Sequence, residues 1–300
     1  MIKVLIITGG NSAERAVSLK STQAVALNLK KAGFLVTIID ALKPFNNYLS
    51  EIRQCDVVFP LIHGKGGEDG KLQKFLENLN VKFIGSDSLS SRLCFNKDAY
   101  LKLLNKHDFL IPPTELVTFD EFQQSQLILK PFVVKPINEG SSVDTVIVKH
   151  LDQDYLKEVK PVFLKHKHLL LESFIDGQEI TVACFNEQAL PVIEIIPPPS
   201  ESFDYKNKYN GKTKELCPPK NISMTLQDQA KDLAQRIHQL CNCRDISRTD
   251  MIIQGEQIYV LETNTIPGLS NQSLLPKAVI SYGLSLPDFY SQLVNNALKR

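Results

Sequence analysis

Apolar runs that end in glycine-rich loops and then pass into helix-patterned stretches constrain this chain more than any other feature. Residues 4–8 form such a run, followed by Gly9-Gly10-Asn11-Ser12-Ala13-Glu14-Arg15 and a helical pattern over 18–32 that Gly33 stops. A second strand over 35–39 ends at Asp40. A third, over 56–61, feeds His63-Gly64-Lys65-Gly66-Gly67-Glu68-Asp69-Gly70 and a helix over 71–79. Strands and helices in alternation build an open parallel sheet, whose ligands collect at the C-terminal ends of the strands. Both glycine-rich loops lie at such ends and should face one crevice. The first loop lacks the G-x-G-x-x-G spacing, which argues against a dinucleotide-binding oxidoreductase. Glu14, taken alone, reads as a favourable charge at a helix N-terminus. His63 opens a glycine-rich loop directly after a buried strand, so it is a ligand candidate as well as a structural histidine.

The second half carries different chemistry. Met251-Ile252-Ile253 and Ile258-Tyr259-Val260 flank Gln254-Gly255-Glu256-Gln257 and read as a hairpin. Side chains two apart on a strand share a face, so Glu262 and Asn264 project together, and the hairpin brings Arg248 and Asp250 to the same end. Two carboxylates and an amide oxygen make a hard, all-oxygen site suited to Mg²⁺; a solvated strand face is the plainer alternative. The turn Ile266-Pro267-Gly268-Leu269-Ser270-Asn271, rich in backbone N–H groups, follows at once and favours phosphate chemistry. Upstream, a strand over 132–136 carries Lys135, and Gly140-Ser141-Ser142 precedes a strand over 145–148. A lysine and a small-residue loop can hold nucleotide phosphates by point charge and backbone donors. Backbone groups of Ser173-Phe174-Ile175 can read an adenine edge and Glu179 can take ribose hydroxyls, or the segment is merely a strand and a turn. Lys97 falls in a helix expected over 90–105, and Ile111-Pro112-Pro113 marks a linker. Pro197-Pro198-Pro199 opens a polar excursion reaching Gly211 that suits a mobile lid. Helices are expected over 226–240 and 286–298.

With 300 residues, 43% hydrophobic and 22% charged, the chain has the make-up of a soluble protein with room for two or three cores. A net charge of +1 gives no reason to expect a nucleic-acid or acidic-membrane partner. The N-terminal apolar run is too short for a signal peptide or a spanning helix, and the six cysteines lack zinc-site spacing. Reduced thiols and a cytoplasmic location are expected.

Taken in order, these motifs resemble the D-alanine–D-alanine ligases of the ATP-grasp superfamily nearly end to end. The resemblance rests on Gly9-Gly10-x-Ser12-Ala13-Glu14-Arg15-x-Val17-Ser18-Leu19, His63-Gly64-x-x-Gly67-Glu68-Asp69-Gly70, Lys135-Pro136 with Gly140-Ser141-Ser142, Asp204-Tyr205…Lys208-Tyr209, Arg248-x-Asp250, and Glu262-x-Asn264-x-x-Pro267-Gly268…Ser273-Leu274. It implies an α/β fold, α+β in the ATP-binding part: an ATP-grasp fold behind an N-terminal open parallel-sheet domain. The implied domains are 1–95, 96–180 for ATP binding, and 181–300 with lid and metal site.

The resemblance further implies that ATP phosphorylates the first D-alanine's carboxylate and that the second D-alanine's amine attacks the acyl phosphate, for peptidoglycan precursor synthesis. Asp250, Glu262 and Asn264 would hold two Mg²⁺ or Mn²⁺ ions. Lys97, Lys135, Ser141, Ser142 and the lid's Lys208 would hold phosphates, and Glu172 with Ser173, Phe174, Ile175 and Glu179 the adenosine. Glu14 would pair with the first ammonium, and His63 would lie near its carboxylate. Ser273 and Leu274 would bind the second carboxylate, while Arg248 and the Gly268 N–H stabilise the tetrahedral oxyanion. Ser141 and Tyr209, linked through Glu14, would assist deprotonation of the incoming amine. Tyr209 favours an amine acceptor over D-lactate. A homodimer is implied, without membrane insertion. Asp144 departs from the family, which usually has Gly there; a carboxylate beside triphosphate repels it unless turned outward. The alternatives are an ATP-grasp ligase with another acceptor (D-lactate, D-serine or another amino acid) and a nucleotide-binding regulator without chemistry. The second predicts damage among Lys135, Arg248, Asp250, Glu262 and Asn264, and all five are intact.

Overall fold

The computed structural model describes residues 1–151, 154–198 and 212–300. Lys208, Tyr209 and most of the expected lid lie outside the described residues. The chain opens with β1 (Lys3–Thr8), α1 (Arg15–Lys31), β2 (Leu35–Asp40), α2 (Leu49–Gln54), β3 (Val57–Leu61) and α3 (Lys71–Asn78). The three strands form a parallel sheet in the order β2-β1-β3. Alternate residues of β1 enter different cores. Val4 and Ile6 pack with Val25 and Leu29 of α1, whereas Leu5 and Ile7 pack with Ile52 of α2 and Leu72 of α3. Burial on both faces is why β1 reads as an unbroken apolar run.

The expected helix over 90–105 is two helices, α4 (Ser88–Phe95) and α5 (Lys97–Lys106). Asn96 breaks it by leaving the helical region and capping α5: its side chain accepts from Ala99 N at 3.0 Å. The break makes Lys97 the first residue of α5, where its own N–H donates to Ile137 O at 3.0 Å.

Next come β4 (Thr114–Val117), α6 (Phe119–Gln124), β5 (Phe132–Pro136), β6 (Val146–Val148), α7 (Leu156–Lys165) and β7 (Leu169–Ser173). These four strands pair antiparallel in the order β4-β7-β5-β6 over a core of Phe122, Phe132, Val159 and Leu171. The remaining strands are β8 (Gln178–Phe185), β9 (Gln188–Ala189), β10 (Ile193–Ile196), β11 (Lys214–Leu216), β12 (Ile246–Gln254) and β13 (Gln257–Asn264), with α8 (Met224–Leu240) between β11 and β12. They order as β11-β10-β8-β12-β13, with β9 on β8. Finally α9 (Leu274–Ser281) and α10 (Leu286–Lys299) return to the first sheet, where Phe289 and Tyr290 join Phe59 and Phe185 in one core.

The loop after β3 is set by Gly67. A Cβ there would collide with the Ile62 carbonyl. Gly67→Ala is therefore expected to cost about 1–3 kcal/mol, read as a lower urea midpoint at unchanged slope.

Candidate active site

A β-bulge assembles the acidic wall. From the turn outward, Gln254 pairs with Gln257 and Met251 with Val260, but Asp250 pairs with Glu262 and Arg248 with Asn264. Leu261 is thus an extra residue; with the register unbroken, Asp250 would oppose Leu261 instead. Opposed residues on antiparallel strands share a face, so the bulge turns Glu262 toward Asp250. Arg248 grips Asp250 bidentately at 2.9 and 2.8 Å, Thr181 Oγ1 donates to it at 2.5 Å, and Asn264 Nδ2 at 3.3 Å. Lys97 Nζ lies 3.2 Å from Glu262. Two adjacent carboxylates require cations between them, and here Arg248 and Lys97 supply the charge. The oxygen-only donor set fits a hard divalent ion in their place.

Lys97, Asp250 and Glu262 border a cavity of about 510 Å³, within the usual range for ligand sites. Lys97, Lys135, Ser142, Glu172, Ser173, Phe174, Ile175, Glu179, Asp250 and Glu262 all line it. Lys135 and Glu172 form a buried pair at 2.8 Å. The other carboxylate oxygen of Glu172 is buried with no hydrogen-bond partner among the described residues. A buried acceptor without a donor is costly, and a ligand N–H would relieve it. The Ser173 and Phe174 amides are already used, donating to Pro113 O and Pro131 O at 2.9 Å each. The adenine-edge expectation therefore narrows to Ile175 and to backbone carbonyls.

A second cavity, of about 600 Å³, opens at the C-terminal ends of β1–β3, with Glu14, Gly64, Lys65 and Gly140 in its walls. Glu14 is buried, and its carboxylate accepts from Ser141 Oγ. A Cβ on Gly64 or Gly140 would run into that carboxylate, so both glycines admit it. His63 is oriented on every side. Its backbone N–H donates to Ser18 Oγ at 2.9 Å, while ring Nε2 lies 3.2 Å from Ser21 Oγ and ring Nδ1 3.4 Å from Glu68. Ser21 Oγ also accepts from Leu269 N at 3.3 Å, which ties His63 to the turn containing Gly268. Leu274 opens α9, and Ser273 as N-cap offers no side-chain cap, so the helix N-terminus keeps donors for an anion.

Residues 103–295 match the family described as D-ala D-ala ligase C-terminus, and 41–86 that described as D-ala D-ala ligase N-terminus. The chain belongs to the D-alanine–D-alanine ligase family. It is similar to the D-alanine–D-alanine ligase of Syntrophobacter fumaroxidans, with 36% identity over 99% of this chain and 98% of that one. It is also similar to the ligase of Syntrophotalea carbinolica, at 34% identity over 99% and 97%. The solved D-alanine–D-alanine ligase of Bacillus anthracis complexed with ATP superposes with a TM-score of 0.85 at 27% identity, covering 100% of this chain and 98% of that one. The fold is ATP-grasp.

Against the ligase pattern, sequence reasoning missed four supporting groups. Thr181 holds Asp250; Ser21 and Glu68 orient His63; Glu139 pairs with Lys65 and accepts Lys97 Nζ at its carbonyl, 2.8 Å away. Glu68 stood inside the His63 motif and was the one with a signal. Thr181 had none, because its role depends on β8 pairing with β12.

Proposed function

We propose that this ligase joins two D-alanines to D-alanyl-D-alanine at the expense of ATP, through an acyl phosphate. The observation that carries the reading is the phosphate loop. Glu139 and Val143 line both cavities, so a nucleotide on one side meets an amino acid held at Glu14 on the other. ATP would lie with its adenine against Phe174, Ile175 and the Glu172 oxygen that has no partner among the described residues, and its ribose toward Glu179. Lys97, Lys135 and the Ser141-Ser142 loop would receive its phosphates, joined by Lys208.

Asp250, Glu262 and Asn264 would hold two Mg²⁺ ions, which neutralise charge spread over the phosphate oxygens during transfer. Glu14 would bind the first ammonium, and His63 would face that substrate's carboxylate. Attack by the second amine forms a tetrahedral oxyanion, stabilised by Arg248 and the Gly268 N–H, and its collapse expels phosphate. Ser141, already donating to Glu14, would relay the amine's proton with Tyr209. Ser273 and Leu274 would anchor the second carboxylate. Family membership supports a cytoplasmic enzyme; among the described residues no helix is long and apolar enough to cross a membrane. The family resemblance supports a homodimer.

Purified protein with ATP, Mg²⁺ and D-alanine is expected to release phosphate only when D-alanine is present and to yield D-alanyl-D-alanine by mass. Parallel reactions add D-serine, D-lactate or L-alanine as acceptor. Turnover confined to another acceptor would overturn the substrate assignment while leaving the ATP site standing.

A further inference from the structure

The loop between the two cavities has an unusual backbone. Ser141, Ser142 and Asp144 hold φ of +48°, +58° and +54°, in the left-handed region that side chains rarely adopt. Glycine occupies that region without cost, whereas Asp144 carries a side chain there. The carboxylate is not idle. Its Oδ1 accepts from Lys165 Nζ at 2.6 Å, and its Oδ2 lies 3.1 Å from His166 Nε2. Both partners sit at the C-terminal end of α7. Asp144 lines neither cavity. Its charge is thus turned outward, away from where triphosphate would lie, and the two partners hold its pKa below the usual carboxylate range.

We propose that Asp144 is a positioning residue: its tether to Lys165 and His166 fixes the phosphate loop in the shape that walls the nucleotide cavity. The other end of the loop is fixed independently, by Glu139 on Lys65 and by the Glu139 carbonyl on Lys97. A loop ordered before the nucleotide arrives loses less conformational entropy on binding it. The tether anchors the loop through an ion pair. Lys165 is mostly exposed, which keeps the effect moderate. The inference rests on the reading of this cavity as the ATP site.

The test compares Asp144→Asn, which tolerates the same backbone without the charge, with Asp144→Gly, which also removes the side chain, and with Lys165→Gln. Each is expected to raise KM for ATP about five-fold while kcat stays within about two-fold. Amide hydrogen exchange at 140–146 is expected to quicken in the ligand-free variants. Asp144→Asn combined with Lys165→Gln should be no worse than Asp144→Asn alone, since the lysine acts through the Asp144 carboxylate. Unchanged exchange and unchanged KM in Asp144→Asn and Asp144→Gly would overturn the tether. Exchange is read without nucleotide, so a failure of the ATP reading would show separately, as a wild-type protein that does not bind ATP.

Discussion

Glu262→Gln is expected to lower kcat by at least about 10³-fold while leaving the fold intact. The substitution keeps the side chain's shape, and Glu262 is only partly buried, so packing changes little. What changes is charge. The bulge at Leu261 places Glu262 opposite Asp250, and the amide would leave a single carboxylate in the proposed metal site. Lys97, 3.2 Å away, also loses its counter-charge in the cavity that both residues line. Phosphate release with ATP and D-alanine measures turnover, and a magnesium titration of nucleotide binding measures the metal requirement. Near-normal kcat, or an unaltered magnesium dependence, would remove Glu262 from the metal site. The matching change at Thr181, to Val, deletes only one hydrogen bond to Asp250 and should cost far less.

Lys135→Met is expected to destabilise the protein by about 3 kcal/mol and to abolish measurable ATP binding. Lys135 and Glu172 are paired at 2.8 Å, with side chains only 11% and 4% exposed. Removing the lysine strands a carboxylate that already has one oxygen without a donor among the described residues. A buried charge left without its partner typically costs 3–5 kcal/mol; the lower end of about 3 applies because Lys135 borders an open cavity. The melting temperature should fall by roughly 5–10 °C. Lys135→Met with Glu172→Gln removes both charges and should recover most of the stability without recovering ATP binding. A double variant as unstable as the single one would show that the pair does not act as a unit.

The parts of the fold legible in the sequence are those where local pattern and burial coincide. β1 and β3 are buried on both faces, so their apolar runs stand out, and Gly33 stops α1 where a helix end needs a left-handed residue. The break at Asn96 was hidden because apolar spacing continues through it, and capping by an Asn competes silently with helix continuation. Asp250, Glu262 and Asn264 were readable as donors from strand alternation, yet the facing of Asp250 and Glu262 depends on one inserted residue that periodicity does not reveal.

By itself, the sequence determined which residue types stand at strand ends and glycine loops, and so which chemistry the chain carries. Those signals are local: side-chain alternation, glycine's backbone freedom and donor type act within a few residues. Tertiary structure alone decided that Glu14 meets Ser141 across 127 positions, that Lys135 closes on Glu172, and that Asp144 turns to Lys165 and His166. Such meetings follow from how three sheets and the returning helices α9 and α10 pack their cores together, and burial summed over dozens of distant side chains leaves no mark on the short stretches it brings into contact.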